Sequence, residues 1–156
     1  MRTKTVPLAL AVLLASLSLA ASAQTPNPAN AQAKTFAVVI GVSKYAKLGG
    51  GQQLQFADRD ALLIAESLKK AGVSADNLRV LAGQEATSAA IKSAIGNWLA
   101  HAAGADDTVV IFFSGHGLFE QEFGEAYLLG ADSDAKDPYG TALSINEINQ
   151  ALARRV

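Results

Sequence analysis

A histidine between two glycines is the part of this sequence best suited to chemistry. Residues 114–117 read Ser-Gly-His-Gly and directly follow an unbroken β-branched and aromatic run over residues 108–113. An imidazole titrates near neutral pH and can serve as a general base. The flanking glycines let the backbone turn tightly and let a substrate approach closely. His116 is therefore a candidate catalytic base. The alternative is a histidine that only caps the end of a strand.

The run before the histidine predicts the element that positions it. Residues 108–113 are apolar without alternation, which is typical of a strand covered on both faces in a parallel sheet. Ligands and catalytic groups gather at the carboxyl ends of such strands. The sequence therefore predicts that His116 lies at the carboxyl edge of a buried sheet.

The remaining patterns alternate between strands and helices. Strands are predicted over residues 35–42, 77–81 and 126–129, helices over 57–71, 87–103 and 144–155, and loops over 44–53 and 118–124. The last helix has the clearest start, because Ser144 and Glu147 form a capping box and Leu143 with Ile148 a hydrophobic staple. This order predicts an α/β fold, a three-layer α/β/α sandwich with a mostly parallel central sheet.

Two of the predicted helices carry an apolar stripe that should face the sheet. The stripe of the first consists of Ala61, Ile64, Ala65 and Leu68, and that of the second of Ile91, Ala94, Ile95, Trp98, Leu99 and Ala102. These residues are the predicted contacts between the helical layers and the strands.

The amino terminus is predicted to be a signal peptide over residues 1–23. Arg2 and Lys4 precede an apolar run over residues 6–20, and Ala21-Ser22-Ala23 is typical of a signal peptidase site. A membrane anchor or a buried helix is the alternative, but the run is short for a span, and residues 24–34 are a polar, proline-bearing flexible linker. We expect a secreted or periplasmic protein that has no membrane contact after cleavage, with its domain over residues 35–156.

Composition limits the classes of partner and cofactor. Cleavage of the signal peptide removes Arg2 and Lys4 and changes the formal net charge from −1 to −3. A negative net charge does not favour a nucleic acid as binding partner. The chain has no cysteine, so disulfides and thiolate metal sites are not expected. The triple glycine at residues 49–51 suggests nucleotide binding as a weak alternative, but its spacing matches neither GxGxxG nor GxxxxGK[ST]. No cofactor is expected.

Four segments together resemble a known family. FAVVIGVSKY, ADRDA opening a helix, DTVVIFFSGHG and AYLLGAD occur in the order found in the caspase and metacaspase group of cysteine peptidases. The SGHG stretch after an apolar strand is the most specific of them. The resemblance covers nearly the whole chain from Lys34 onward. It implies a caspase-like fold and hydrolysis of peptide bonds in protein substrates by a His-Cys dyad.

The resemblance also implies roles for individual residues. His116 corresponds to the histidine of the dyad, and Gly117 to the position whose backbone N–H helps to bind the developing oxyanion. Asp60 corresponds to the aspartate that lines a pocket for Arg or Lys in metacaspases. An acid in the first turn of a helix is also favoured by the macrodipole alone. Asp132 corresponds to a further aspartate of the family, and the resemblance assigns no role to it. The alternative is that Asp132 is a solvated turn residue.

Two departures from the family pattern matter. Calcium-dependent metacaspases have a run of aspartates before the last helix, whereas residues 144–147 hold one acid, so calcium dependence is not expected. The family cysteine, which follows the next strand, is missing. We therefore expect this chain to be the amino-terminal part of a catalytic domain and to be proteolytically inert by itself. The alternative is a non-catalytic caspase-like module that binds proteins. The oligomeric state is not predicted.

Overall fold

The computed structural model describes residues 32–154. The predicted signal peptide, most of the predicted linker, and the last two residues of the chain lie outside the described residues. Among residues 32–154, no helix combines the length and the hydrophobicity needed to cross a membrane.

The centre of the domain is a parallel sheet of three strands in the order β2-β1-β3. The strands are β1 (Thr35–Gly41), β2 (Leu78–Ala82) and β3 (Thr108–Ser114). β1 pairs with β3 along its whole length, from Thr35 opposite Thr108 to Gly41 opposite Ser114. Because the two strands end level, residues that follow Gly41 and Ser114 emerge at the same carboxyl edge. The prediction of a parallel strand before His116 is confirmed. Its predicted full burial is not, because β3 is an edge strand among residues 32–154 and its residues are at most partly buried.

Helix α1 (Ala57–Lys70) covers one face of this sheet. Its Ala61 and Ala65 form a buried cluster with residues of β1 and with Leu78 of β2. A Cβ atom on Gly41 would lie 2.3 Å from the carbonyl oxygen of Ala57, so glycine at the end of β1 permits the helix to approach this closely. The predicted stripe of α1 is confirmed.

The other face is covered by a helical stretch of three parts. These are α2 (Ser88–Ser93), a π-helical segment (Ala94–Leu99) and α3 (Ala100–Ala102). Ile91, Ile95 and Leu99 pack with the β1 side chains of that face in the larger core cluster. Helices therefore lie on both faces, and the prediction of an α/β/α arrangement is confirmed.

The end of the second apolar stripe was predicted wrongly. Ala102 is exposed, whereas Ala100 is buried. A π-helical turn contains more residues than an α-helical turn, so it rotates the residues after it relative to a continuous α-helical pattern. Trp98, within the π-helical segment, is partly exposed and contacts Phe36 edge-on at 6.2 Å and the Arg79 guanidinium at 4.4 Å.

A second, antiparallel sheet follows His116, in the order β4-β5-β6. Its strands are β4 (Gly117–Glu120), β5 (Glu125–Leu128) and β6 (Leu143–Ser144). The prediction of a loop over residues 118–124 is thus wrong for residues 118–120, which belong to β4. Residues 121–124 form the turn of the hairpin between β4 and β5. Gly124 in the hairpin turn has a φ of 66°, a conformation that favours glycine. Leu118 is partly buried and Phe119 exposed, but both are apolar, so no alternation in the sequence indicated this strand.

The chain then forms two further helices, α4 (Pro138–Thr141) and α5 (Ile145–Ala153). The predicted capping box of α5 is confirmed, since the Ser144 hydroxyl accepts from the backbone N–H groups of Asn146 and Glu147 and the Glu147 side chain accepts from the N–H of Ser144. Leu143 and Ile148 share the larger core cluster. Lys92 forms a 3.0 Å ion pair with Glu147 that links α2 to α5.

Candidate active site

His116 lies in the turn that connects the two sheets. β3 ends at Ser114 and β4 begins at Gly117, so the turn itself contains only Gly115 and His116. A Cβ atom on Gly115 would lie 2.8 Å from the Phe113 ring and 2.9 Å from the Tyr45 hydroxyl oxygen. The missing Cβ of Gly115 therefore permits the Phe113 ring and the Tyr45 hydroxyl to approach the turn this closely.

The loop between β1 and α1 holds the imidazole on two sides. The Tyr45 ring lies 5.0 Å from the imidazole, centroid to centroid, at an interplanar angle of 37°. The His116 backbone N–H donates to the Tyr45 hydroxyl oxygen over 2.7 Å. On the other side, His116 Nε2 lies 2.6 Å from the Gln52 carbonyl oxygen.

The Gln52 contact determines which nitrogen of His116 carries the proton. A carbonyl oxygen can only accept a hydrogen bond, so Nε2 must be the protonated nitrogen. In a neutral imidazole with that tautomer, Nδ1 carries the lone pair and is the atom able to accept a proton. The structure thus presents Nδ1 as the basic atom of this ring.

Tyr45 keeps its proton across the neutral range. Burial raises the pKa of the Tyr45 phenol above its ordinary value, although the hydrogen bond from His116 acts in the lowering direction. The nearby Asp58 carboxylate adds a smaller raising effect. Tyr45 is therefore a neutral, buried acceptor for the backbone N–H of His116.

The backbone N–H of Gly117 points away from the hairpin partner. Gly117 lies opposite Leu128 in the β4–β5 ladder, and the N–H of the next residue, Leu129, donates to the His116 carbonyl oxygen over 3.0 Å. This pattern makes Gly117 and Leu128 a non-hydrogen-bonded pair, whose own N–H and C=O groups point outward. Since β4 is an edge strand, the Gly117 N–H faces the open side of the sheet.

Asp60 is the third predicted residue, and it lies beside the end of β3. Its Oδ2 accepts from the Ser114 hydroxyl over 3.1 Å, and its side chain is exposed. Ser114 thus donates to Asp60 rather than to the imidazole two residues further along. The structure brings Asp60 of α1 to the same sheet edge as His116 and Gly117.

The neighbouring carboxylate, Asp58, has a different environment. Its Oδ1 accepts from the Ser43 N–H over 2.7 Å, and its own N–H donates to the Ser43 hydroxyl over 3.0 Å. This reciprocal pair attaches the start of α1 to the segment after β1. Asp58 is therefore part of the scaffold, whereas Asp60 is open to solvent at the site.

A comparison with protein families identifies the group to which this domain belongs. Residues 34–155 match the family model described as the caspase domain. The chain belongs to the caspase-domain family. This family comprises cysteine peptidases, so its substrates are proteins. No curated protein matches the chain.

In this caspase domain Asp132 has a structural contact. Its Oδ1 accepts from the backbone N–H of Ser88, at the amino terminus of α2, over 2.7 Å. The buried hydroxyls of Ser88 and Ser133 lie 2.9 Å apart and strengthen the same junction. The role that the sequence left open for Asp132 thus includes holding the segment after β5 against α2.

Sequence reasoning missed two residues of the caspase-domain site. Gln52 contacts His116 through its backbone carbonyl, and that group is identical in every residue, so no side-chain pattern could have indicated it. Tyr45 offered a better signal, because it ends the FAVVIGVSKY segment directly after the first strand. Among residues 32–154, no three metal-ligating side chains lie close enough together to hold an ion.

Proposed function

We propose that this chain supplies the histidine half of an exported cysteine-type endopeptidase of the caspase or metacaspase type, which cleaves after Arg or Lys. The observation that carries the proposal is the state of His116. Its Nε2 is engaged by the Gln52 carbonyl, its Nδ1 is the basic atom, and the outward N–H of Gly117 lies next to it in the chain.

Each group has a defined task in peptide-bond hydrolysis. His116 Nδ1 accepts the proton of a cysteine thiol, and the thiolate attacks the carbonyl carbon of the scissile bond. The Gly117 N–H donates to the oxygen on which negative charge develops. The imidazolium then returns its proton to the leaving amine as the C–N bond breaks. Water hydrolyses the resulting thioester, with His116 again taking a proton.

Asp60 accounts for the proposed preference for basic residues. Its carboxylate is exposed at the carboxyl edge of the sheet and is oriented by the Ser114 hydroxyl. A guanidinium or ammonium group would form charge-assisted hydrogen bonds there, whereas an acidic side chain would be repelled. Profiling a complete form of the protein on a peptide library tests this proposal, and a clear preference for cleavage after Asp would contradict it.

The thiol has to come from outside these residues, since the chain contains no cysteine. This 156-residue chain should therefore leave basic fluorogenic peptides uncleaved, and since the outer edge of β3 is unpaired among residues 32–154 it should also be poorly soluble. A form extended to include the family cysteine should cleave them. Turnover by the chain as given that disappears in His116→Ala would show that the nucleophile has been misidentified.

Export is proposed from the basic and apolar amino terminus and the small residues at positions 21–23. The expected mature protein begins at Gln24 and is secreted or periplasmic. Mass spectrometry of the protein recovered outside the cytoplasm would test this. Recovery of only the unprocessed chain from the cytoplasm would contradict it.

A non-catalytic module that binds proteins or peptides is a second candidate function. The absence of cysteine from all 156 residues favours it. Reading the gene beyond Val156 distinguishes the two candidates. A cysteine at the position that the family pattern requires would support the peptidase. Its absence, together with saturable binding of basic peptides without cleavage, would support the binding module.

A further inference from the structure

The two contacts that orient His116 come from one glycine-rich loop. Tyr45 and Gln52 lie on either side of three consecutive glycines at positions 49–51. Glycine has more backbone freedom than any other residue, so such a loop loses much entropy when it is ordered. One or more specific interactions must therefore keep Tyr45 and Gln52 in place beside the imidazole.

A 3-10 turn over Gly50–Gln52 and a bond from the Ala46 N–H to the Ala131 carbonyl oxygen hold parts of this loop. The side-chain amide of Gln53 adds three further bonds, two of them to Tyr45 itself. Its Oε1 accepts from the Tyr45 N–H over 2.8 Å, and its Nε2 donates to the carbonyl oxygens of Tyr45 over 3.1 Å and Leu48 over 3.0 Å. One amide thus binds Tyr45 at both of its backbone polar groups, much as a neighbouring strand would. Its bond to Leu48 also joins the segment before the three glycines to the segment after them.

Gln53 is also the residue next to Gln52. The amide that holds Tyr45 is therefore attached to the backbone that carries the Gln52 carbonyl, which lies 2.6 Å from His116 Nε2. The backbone bond from the Leu54 N–H to the Ser43 carbonyl oxygen, at 2.8 Å, anchors the same segment to the end of β1. Gln53 is partly buried, so water competes only partly for its bonds.

We propose that Gln53 is a positioning residue: its side-chain amide holds Tyr45 and Gln52 in the arrangement that fixes the ring orientation and the Nε2–H tautomer of His116. Gln53 acts through these two residues and does not touch the reacting atoms. Its importance for turnover rests on the proposed function, whereas its effect on the state of the ring can be measured without a nucleophile.

The decisive substitution is Gln53→Glu. It keeps the length of the side chain and the oxygen that accepts from Tyr45, but it replaces the donating NH₂ group with an oxygen that faces two carbonyl oxygens. Gln55→Glu is the matched control, because it makes the same chemical change at an exposed position two residues along. Gln53→Met is a neutral substitution of similar length that removes all three bonds.

The measurement is a ¹⁵N–¹H NMR spectrum of the imidazole rings at about pH 8, where histidine is ordinarily neutral. The chain has two histidines, and His101→Ala leaves only the signals of His116. We expect a protected Nε2-bound proton in the unsubstituted chain and in Gln55→Glu. In Gln53→Glu, that proton should exchange with water at least about tenfold faster, since loss of one hydrogen bond removes about that factor of protection.

The possible outcomes separate the two proposals. An unchanged Nε2-bound proton in folded Gln53→Glu would overturn the positioning role, as would a His116 that is protonated on Nδ1 in the unsubstituted chain. If Gln53→Glu does not fold, Gln53→Met decides by the same criteria. In a form with the cysteine, Gln53→Glu should lower kcat by about 10–10²-fold with KM little changed. Faster proton exchange together with full turnover in His116→Ala would leave the positioning role intact and refute the proposed function.

Discussion

The two sides of the candidate site are held very differently. On the histidine side, His116 has a ring contact with Tyr45 and two hydrogen bonds to the loop between β1 and α1. On the carboxylate side, Asp60 is exposed and receives one side-chain hydrogen bond, from Ser114. A proton-transferring ring needs a fixed orientation, whereas a carboxylate that recognises a cation needs to be accessible to it. The many contacts of His116 therefore suit proton transfer, and the exposure of Asp60 suits recognition of a basic side chain.

The most disruptive test of this comparison is His116→Ala in a form that contains the nucleophile. Turnover should fall by about 10²–10⁴-fold, the usual contribution of a positioned general base. The free energy of unfolding should change little, since a turn histidine contributes few core contacts. Peptide hydrolysis and a thermal melt measure the two effects. His101→Ala is the control and should leave turnover unchanged.

If His116→Ala retained its turnover, the histidine side would have no role in the chemistry. If the variant failed to fold, His116 would instead be a structural residue that caps the end of β3.

The carboxylate side can be tested by comparing Asp60→Ala with Asp58→Ala. Loss of Asp60 should reduce kcat/KM on Arg substrates by about 10–10²-fold, the value of one charge-assisted hydrogen bond, with almost no change in stability. Loss of Asp58 leaves the N–H of buried Ser43 unpaired and should destabilise the fold by about 1–3 kcal/mol. Reversal of these two effects would show that the assignment of the carboxylates is wrong.

The crowding on the histidine side predicts the effect of Gly115→Ala. The new Cβ would lie within 3 Å of the Phe113 ring and of the Tyr45 hydroxyl, so these side chains must shift. We expect a loss of about 1–3 kcal/mol in the free energy of unfolding, measured by urea denaturation. Gly51→Ala is the control, since its Cβ meets no atom within 4 Å. Equal stability of the two variants would mean that the turn accommodates a side chain.

The smallest expected effect is the alkaline titration of Tyr45. Burial raises the pKa of its phenol in the folded protein, so this group favours folding below the ordinary tyrosine pKa of about 10 and loses that contribution as the pH rises through the higher folded pKa. Burial also raises the pKa of the Tyr127 phenol, so tyrosinate absorbance should show two late-titrating tyrosines, of which only one remains in Tyr45→Phe. A Tyr45 that titrates below its ordinary pKa would contradict the burial that the structure shows.

Much of this site follows from local sequence. The apolar run before His116 predicts a strand, and the structure places β3 there with His116 following its carboxyl end, although β3 is only partly buried. The capping box at Ser144 and Glu147 locates the last helix, because its donors and acceptors lie within three residues of one another. The segments that indicate the caspase-domain family are likewise local, so the family was predictable.

The contacts around His116 were decided only by the tertiary structure. Tyr45 lies 71 positions and Gln52 64 positions from His116, and Asp60 lies 54 positions from Ser114. These pairs meet because β1 and β3 end level in a parallel register, and no local pattern specifies that register at the level of single atoms. The sequence alone determined which residue is suited to proton transfer near neutral pH, since that depends on side-chain type. The tertiary structure decided which nitrogen of the ring is basic, since that depends on where a distant backbone carbonyl lies.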